Sequence, residues 1–162
     1  MKRIVCVGRL VYAKGVQDLI KATEGLDVEV RIVGDGVYRK DLEKIAHKNI
    51  KFLGTLSREG VREELRNCDL LVMPSYNEGL PTTLLEAGAL NVKVVTSDVG
   101  AVREVIEDYV DGVIYPAGDV VALKKAVVFA LGNDLEGLRS KIVEGFSWEK
   151  NAVKFLEVLR NV

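Results

Sequence analysis

Histidine is nearly missing from this chain, cysteine and proline are scarce, and no stretch stays apolar for long. The single histidine, His47, falls in a polar helical pattern, so neither a His-based metal site nor a Ser/His/Asp triad has the residues it needs. Cys6 and Cys68 sit inside apolar runs, CVGRL and CDLLV, without metal-ligand spacing. That predicts reduced core thiols in a cytoplasmic protein rather than a disulfide. No segment approaches the roughly 18 consecutive apolar residues of a membrane span, and the opening MKRIVCVGRL reads as a strand rather than a signal peptide. Excess charge is missing too: 23 basic and 24 acidic residues, spread along the chain, leave a net charge of -1. Composition therefore shows no basic face for nucleic acid, and any anion site has to be local.

What is present is a chain of 162 residues, 48% apolar, enough for one α/β domain with a real core and too little for two. Short β-branched runs recur at Arg3 to Val7, Val28 to Val33, Ile50 to Leu53, Leu70 to Met73, Val92 to Thr96 and Val113 to Tyr115. Helical patterns follow at Gly15 to Glu24, Val37 to Lys48, Arg58 to Asn67, Pro81 to Leu90, Val102 to Glu107, Val120 to Leu131, Leu138 to Glu144 and Trp148 to Leu159. Ser57, Asp119 and Ser147 stand where caps belong, and Pro81 in a first turn. Strands alternating with helices predict a doubly wound, Rossmann-like parallel sheet of about six strands with helices on both faces. In such sheets ligands bind beyond the carboxyl ends of the strands, so the loops there are the place to look for chemistry.

The first of these loops contains Gly8-Arg9-Leu10 and then Lys14-Gly15 at the start of a helix. Two cations beside free helix N–H groups make an anion trap, Arg9 as a fork and Lys14 as a point charge. The same two residues would equally serve as solvated surface charges. The turn lacks G-x-G-x-x-G, which disfavours a dinucleotide. Gly34-Asp35-Gly36 follows the second strand, where glycines let a flat ligand approach the backbone; Asp35 taken alone reads as a turn residue or cap. The fourth loop, PSYNEGLPTTLLEA from Pro74 to Ala87, enters a helix with the N–H groups of Gly79, Leu80, Thr82 and Thr83 open to an anion. Glu78 and Glu86 flank that helix mouth, in position to touch different parts of one ligand. Their spacing recurs at Glu136/Glu144 and Glu149/Glu157, so context rather than spacing singles them out.

Taken in order, GRL-x3-KG, GDG-x2-RKDLE, EGLPTTLLEA, SDVGAVREVI and FSWE resemble the C-terminal, donor-binding domain of family 4 retaining GT-B glycosyltransferases over nearly the whole chain. The resemblance implies that Arg9 and Lys14 hold a donor diphosphate, that Glu86 takes the ribose hydroxyls and that Glu78 takes hydroxyls of the transferred sugar. Arg9, Lys14 and Glu78 are then the catalytic set. Gly8, Gly34, Asp35, Leu53, Ser75, Asn77, Gly79, Leu80, Thr82 and Glu86 complete the donor site, with the base on backbone near Gly34 and Leu53. Two stretches depart from the family pattern, Gly100 to Glu104 and Ala89 to Val95, and put local loop geometry in question.

The implied activity is transfer of a hexose from a nucleoside-diphosphate sugar to an acceptor hydroxyl with retention. Charge growing on the departing diphosphate would be met by Arg9, Lys14 and a helix N-terminus. No Asp-x-Asp motif is present, and neither a cofactor nor an essential metal is expected. The residues that place the acceptor would belong to an N-terminal domain or subunit absent from this chain, and any peripheral membrane association would come only through that half. A non-catalytic nucleotide-binding or regulatory module of the same fold is the alternative, against which the joint retention of Arg9, Lys14, Glu78 and Glu86 speaks. A receiver-like signalling domain would need a phospho-acceptor aspartate at a strand end, and Asp69 stands at the beginning of its strand.

Overall fold

Branched aliphatic side chains crowd a helix but pack well on a pleated surface, and the six β-branched runs become six strands. In the computed structural model, which describes residues 1–145, these are β1 (Lys2–Val7), β2 (Val28–Val33), β3 (Ile50–Gly54), β4 (Leu70–Met73), β5 (Lys93–Ser97) and β6 (Val113–Tyr115). All pair in parallel, in the order β3-β2-β1-β4-β5-β6. The register runs from Lys2 opposite Val28 to Val7 opposite Val33, and from Ile4 opposite Leu70. This is the Rossmann-like doubly wound sheet that the alternation predicts.

Successive strand residues point to opposite faces, which divides the core in two. On one face Ile4, Cys6, Val30, Ile32, Val72 and Val95 are covered by α1 (Val16–Ala22), α2 (Arg39–Ile45) and α5 (Val120–Gly132). On the other, Val5, Leu71, Met73, Val94 and Ile114 meet α3 (Arg58–Arg66), α4 (Thr82–Ala89) and α6 (Leu138–Gly145). Fully buried anchors such as Leu19 in α1 and Leu84 in α4 each contribute about 1.5–3 kcal/mol of transfer free energy to that covering.

Ser57 and Asp119 cap as expected, accepting from the N–H groups of Gly60 at 3.1 Å and Ala122 at 2.8 Å. Pro81 is the N-cap of α4 rather than a residue of its first turn, with ψ at 124°. The helix expected over 102–107 shrinks to a 3-10 turn, Val102–Glu104. The Asp111 carboxylate takes the N–H of Glu107, so a side chain satisfies the backbone where the helix was expected to continue. His47 lies past the end of α2, where Ala46 turns extended, and its Nε2 is 3.3 Å from the Thr23 hydroxyl. In the departure between Ala89 and Val95, Asn91 takes a left-handed φ of 59° and closes the turn after α4 without glycine. Ser147, the helical pattern from Trp148 to Leu159 and FSWE lie outside the described residues.

Two glycines pull the loops of the carboxyl edge together. Gly34, at φ 130°, and Gly15, at φ 66°, are in regions L side chains rarely adopt. A Cβ on Gly34 would run into the carbonyl oxygen of Gly8, and one on Gly15 into that of Pro74.

Candidate functional site

β1 and β4 are neighbours, yet the chain leaves them in opposite directions: α1 carries it over one face toward β2, and α4 over the other toward β5. The loops diverge above these two strand ends and open a cleft of about 350 Å³. Gly8, Arg9 and Lys14 line it from the β1–α1 connection, Ser75 and Glu78 from the loop before α4, and Leu80 and Thr82 where α4 begins. Seven residues of the expected donor site thus converge in one place. A second hollow of about 210 Å³ shares Gly8 and Arg9 and adds Gly34 and Asp35 together with Thr55 and Leu56.

Lys14 ends a 3-10 turn, Tyr12–Lys14, which Gly15 closes by donating its N–H to the Tyr12 carbonyl. That turn aims the ammonium at Glu78, with Nζ 2.5 Å from Oε1. The Ser75 hydroxyl donates to the same oxygen at 2.7 Å. Ser75 is buried, and its own carbonyl accepts from the hydroxyl of Ser97, the last residue of β5. The structure therefore joins two side chains, Lys14 and Glu78, that the resemblance assigns to different parts of a donor. A lysine carries three donors, so an anion in the cleft can share Lys14 without displacing Glu78.

Arg9 is exposed and has no side-chain hydrogen bond or ion pair among the described residues. Together Arg9, Lys14 and Glu78 leave the cleft with one net positive charge. Pro81 offers α4 no side-chain cap, and the N–H groups of Thr82 and Thr83 bond to none of the described residues. Those N–H groups add the positive end of a helix dipole. Glu78 does not cap that helix; its carboxylate is spent on Lys14 and Ser75.

Of the remaining expected residues, Gly34 and Asp35 line the second hollow and the others stand apart. Glu86 is half-buried on α4, lines neither hollow and has no side-chain partner among the described residues. Asn77 and Gly79 are exposed, the Gly79 carbonyl accepting from Ala101, and the Leu53 side chain packs into the core beneath α3 and α4. Asp35 serves its turn: it accepts from the Gly36 N–H at 2.7 Å and from Arg39 at 2.9 Å, and these two, in that order, hold its carboxyl below the usual range. Cys6 lines the cleft, but burial pushes its thiol up to about 12, only partly offset by Lys14, so it offers no thiolate nucleophile.

Sequence reasoning missed Gln17, Asp18 and Ser97, all buried, and the role of Tyr76. Ser97 ends a buried strand, where a polar residue invites a question about its partner. Gln17 and Asp18 open a helix, where polar residues are ordinary, and only their burial in the fold marks them out.

Residues 1–146 match the family model described as glycosyl transferases group 1. An uncharacterized glycosyltransferase of Methanocaldococcus jannaschii is 32% identical over 155 residues, covering 89% of this chain and 44% of the relative. Among solved structures, sucrose-phosphate synthase from Thermosynechococcus elongatus aligns with a TM-score of 0.87 at 23% identity, covering 99% of this chain and 45% of the other. Anabaena HepE in complex with UDP and glucose aligns with a TM-score of 0.83 at 22% identity, covering 99% and 48%. The chain thus spans about half the length of the proteins it resembles.

Proposed function

Because the chain belongs to the group 1 glycosyl transferases, we propose that it is the donor-binding domain of a retaining enzyme that moves a hexose from a nucleoside-diphosphate sugar to an acceptor hydroxyl. The observation that carries this reading is the convergence of Arg9, the Lys14–Glu78 pair and the open N-terminus of α4 in one cleft at the point where the strand order reverses. When the bond between the anomeric carbon and the diphosphate breaks, negative charge grows on the departing phosphate. Fixed positive groups around it favour that state over the intact donor. Arg9 supplies two parallel N–H donors, Lys14 a compact charge, and Thr82 and Thr83 backbone N–H groups. Glu78, held by Lys14 and Ser75, is the acceptor for hydroxyls on the transferred sugar, and Glu86 takes the ribose hydroxyls.

An acceptor-binding half outside this chain supplies the proximity that turnover requires. The 162-residue chain should therefore bind UDP, GDP or ADP, and the matching nucleotide sugar, in calorimetry while transferring no sugar. Glu86→Gln should weaken both ligands alike. Glu78→Gln should spare the nucleoside diphosphate, or tighten it by releasing Lys14, and weaken only the nucleotide sugar. Robust transfer to an added acceptor by the pure chain, or equal loss of both ligands in Glu78→Gln, would overturn the corresponding part of the reading.

A further inference from the structure

Between Ser75 and Glu78 in the loop before α4 lies Tyr76, and its hydroxyl is held from below by α1. It donates to Asp18 Oδ2 at 2.7 Å and accepts from Gln17 Nε2 at 2.9 Å. Gln17 Nε2 also donates to the Tyr12 carbonyl at 3.2 Å, while the Tyr76 N–H donates to the Ala13 carbonyl at 2.8 Å. The Tyr12 ring leans on the Tyr76 ring with centroids 5.5 Å apart. Asp18 is 6% exposed and Gln17, the only glutamine in the chain, is 4% exposed. A carboxylate so far from water is costly unless something donates to it, and among the described residues the side chain that does so is Tyr76, 58 positions away. Burial, then Asp18, pushes the phenol well above its ordinary range, so it remains a donor throughout the neutral range.

The same 3-10 turn that presents Ala13 to Tyr76 presents Lys14 to Glu78. Loop and turn are thus fastened twice, once through a polar anchor at Tyr76 and once through the ion pair at the cleft. We infer that Asp18, acting through Tyr76 with Gln17 as its second support, is a positioning residue that sets where the Glu78 carboxylate stands for the transferred sugar. The inference rests on the donor-binding reading of the cleft. Neither Asp18 nor Gln17 lines the cleft, so any effect of replacing them has to travel through the loop.

A double-mutant cycle on the full chain tests this, with titration calorimetry of UDP against UDP-glucose, GDP against GDP-mannose and ADP against ADP-glucose, and a melting curve for each variant. Tyr76→Phe should weaken the nucleotide sugar by on the order of tenfold, the size of one lost hydrogen bond to a charged group, and leave the nucleoside diphosphate unchanged. In a Glu78→Gln background the same substitution should cost nothing further, because the anchor has no carboxylate left to place. Asp18→Asn, which keeps an acceptor for the phenol, should bind nearly as the parent does, and Asp18→Ala should match Tyr76→Phe. Equal loss of both ligands, additive losses in the cycle, or unchanged sugar binding in Tyr76→Phe at a lowered melting temperature would assign the anchor to stability alone and overturn the inference. A parent chain that binds none of the six ligands overturns the donor-binding reading itself, and the inference with it.

Discussion

Arg9 and Lys14 carry the same charge into the same cleft but under different constraints, and the difference is measurable. Among the described residues Arg9 has no partner to give up, so Arg9→Ala removes a charge-assisted fork and should cost diphosphate binding about 1.5–3 kcal/mol. Lys14→Ala removes a cation and also leaves the Glu78 carboxylate facing the anion with, among the described residues, only Ser75 donating to it. Its loss should exceed that of Arg9→Ala, and Glu78→Gln should restore part of it. Calorimetry at low salt decides, and an Arg9→Ala loss larger than the Lys14→Ala loss would contradict the ion pair's role. The place of both cations in the first strand-end loop was legible in the sequence, although the same residues would equally serve there as solvated surface charges. Their unequal standing was not, since the partner of Lys14 is supplied by a loop 64 positions later.

At the scale of elements, the β-branched runs bounded by glycine or proline come out within a residue or two of the observed strands, because burial on both faces demands continuous apolar sequence. Helix ends were harder to read. α1 starts at Val16 since Gly15 is left-handed, and α2 starts at Arg39 since the N–H of Tyr38 goes to the Leu10 carbonyl. The second of those restraints is a tertiary contact that no local pattern encodes. The caps are the exception, being local by nature. Asp119 at the head of the 13-residue α5 and Ser57 at the head of α3 should each cost about 1 kcal/mol when changed to Ala. Urea unfolding should show this as a lower midpoint at an unchanged slope, and a changed slope would mean that more than a cap was lost.

For the whole molecule, near neutrality hides a strongly paired cluster. On β2, Glu29 accepts from Lys51 at 2.6 Å and from Arg31 at 3.2 Å, while Arg31 grips both oxygens of Glu64 at 2.7 Å. The Lys51 bond first, against the opposing pull of burial, and then Arg31 hold the Glu29 carboxyl below its ordinary 4.5. A carboxyl depressed by folding adds stability that is complete above its unfolded value and disappears as pH falls through the folded one. Unfolding free energy should accordingly decline as pH falls below the ordinary 4.5 of this carboxyl, and Glu29→Gln should flatten that decline. An unaltered acid profile in the variant would place the acid sensitivity elsewhere. The doubly wound architecture was legible from strand and helix alternation, but the place where the winding reverses was not, because it depends on which strand β4 pairs with.

The contact of Gly15 against the Pro74 carbonyl bears on attempts to re-engineer the protein. With Ala13 and Asp18 receiving the N–H and hydroxyl of Tyr76, it makes residues 12–18 and 74–78 a single insert in two pieces. A chimera that transplants the loop before α4 from a relative, in order to change the sugar accepted, would bring in half a mortise joint. The graft has to carry both strips together, or the new loop will arrive without the seat that sets its height.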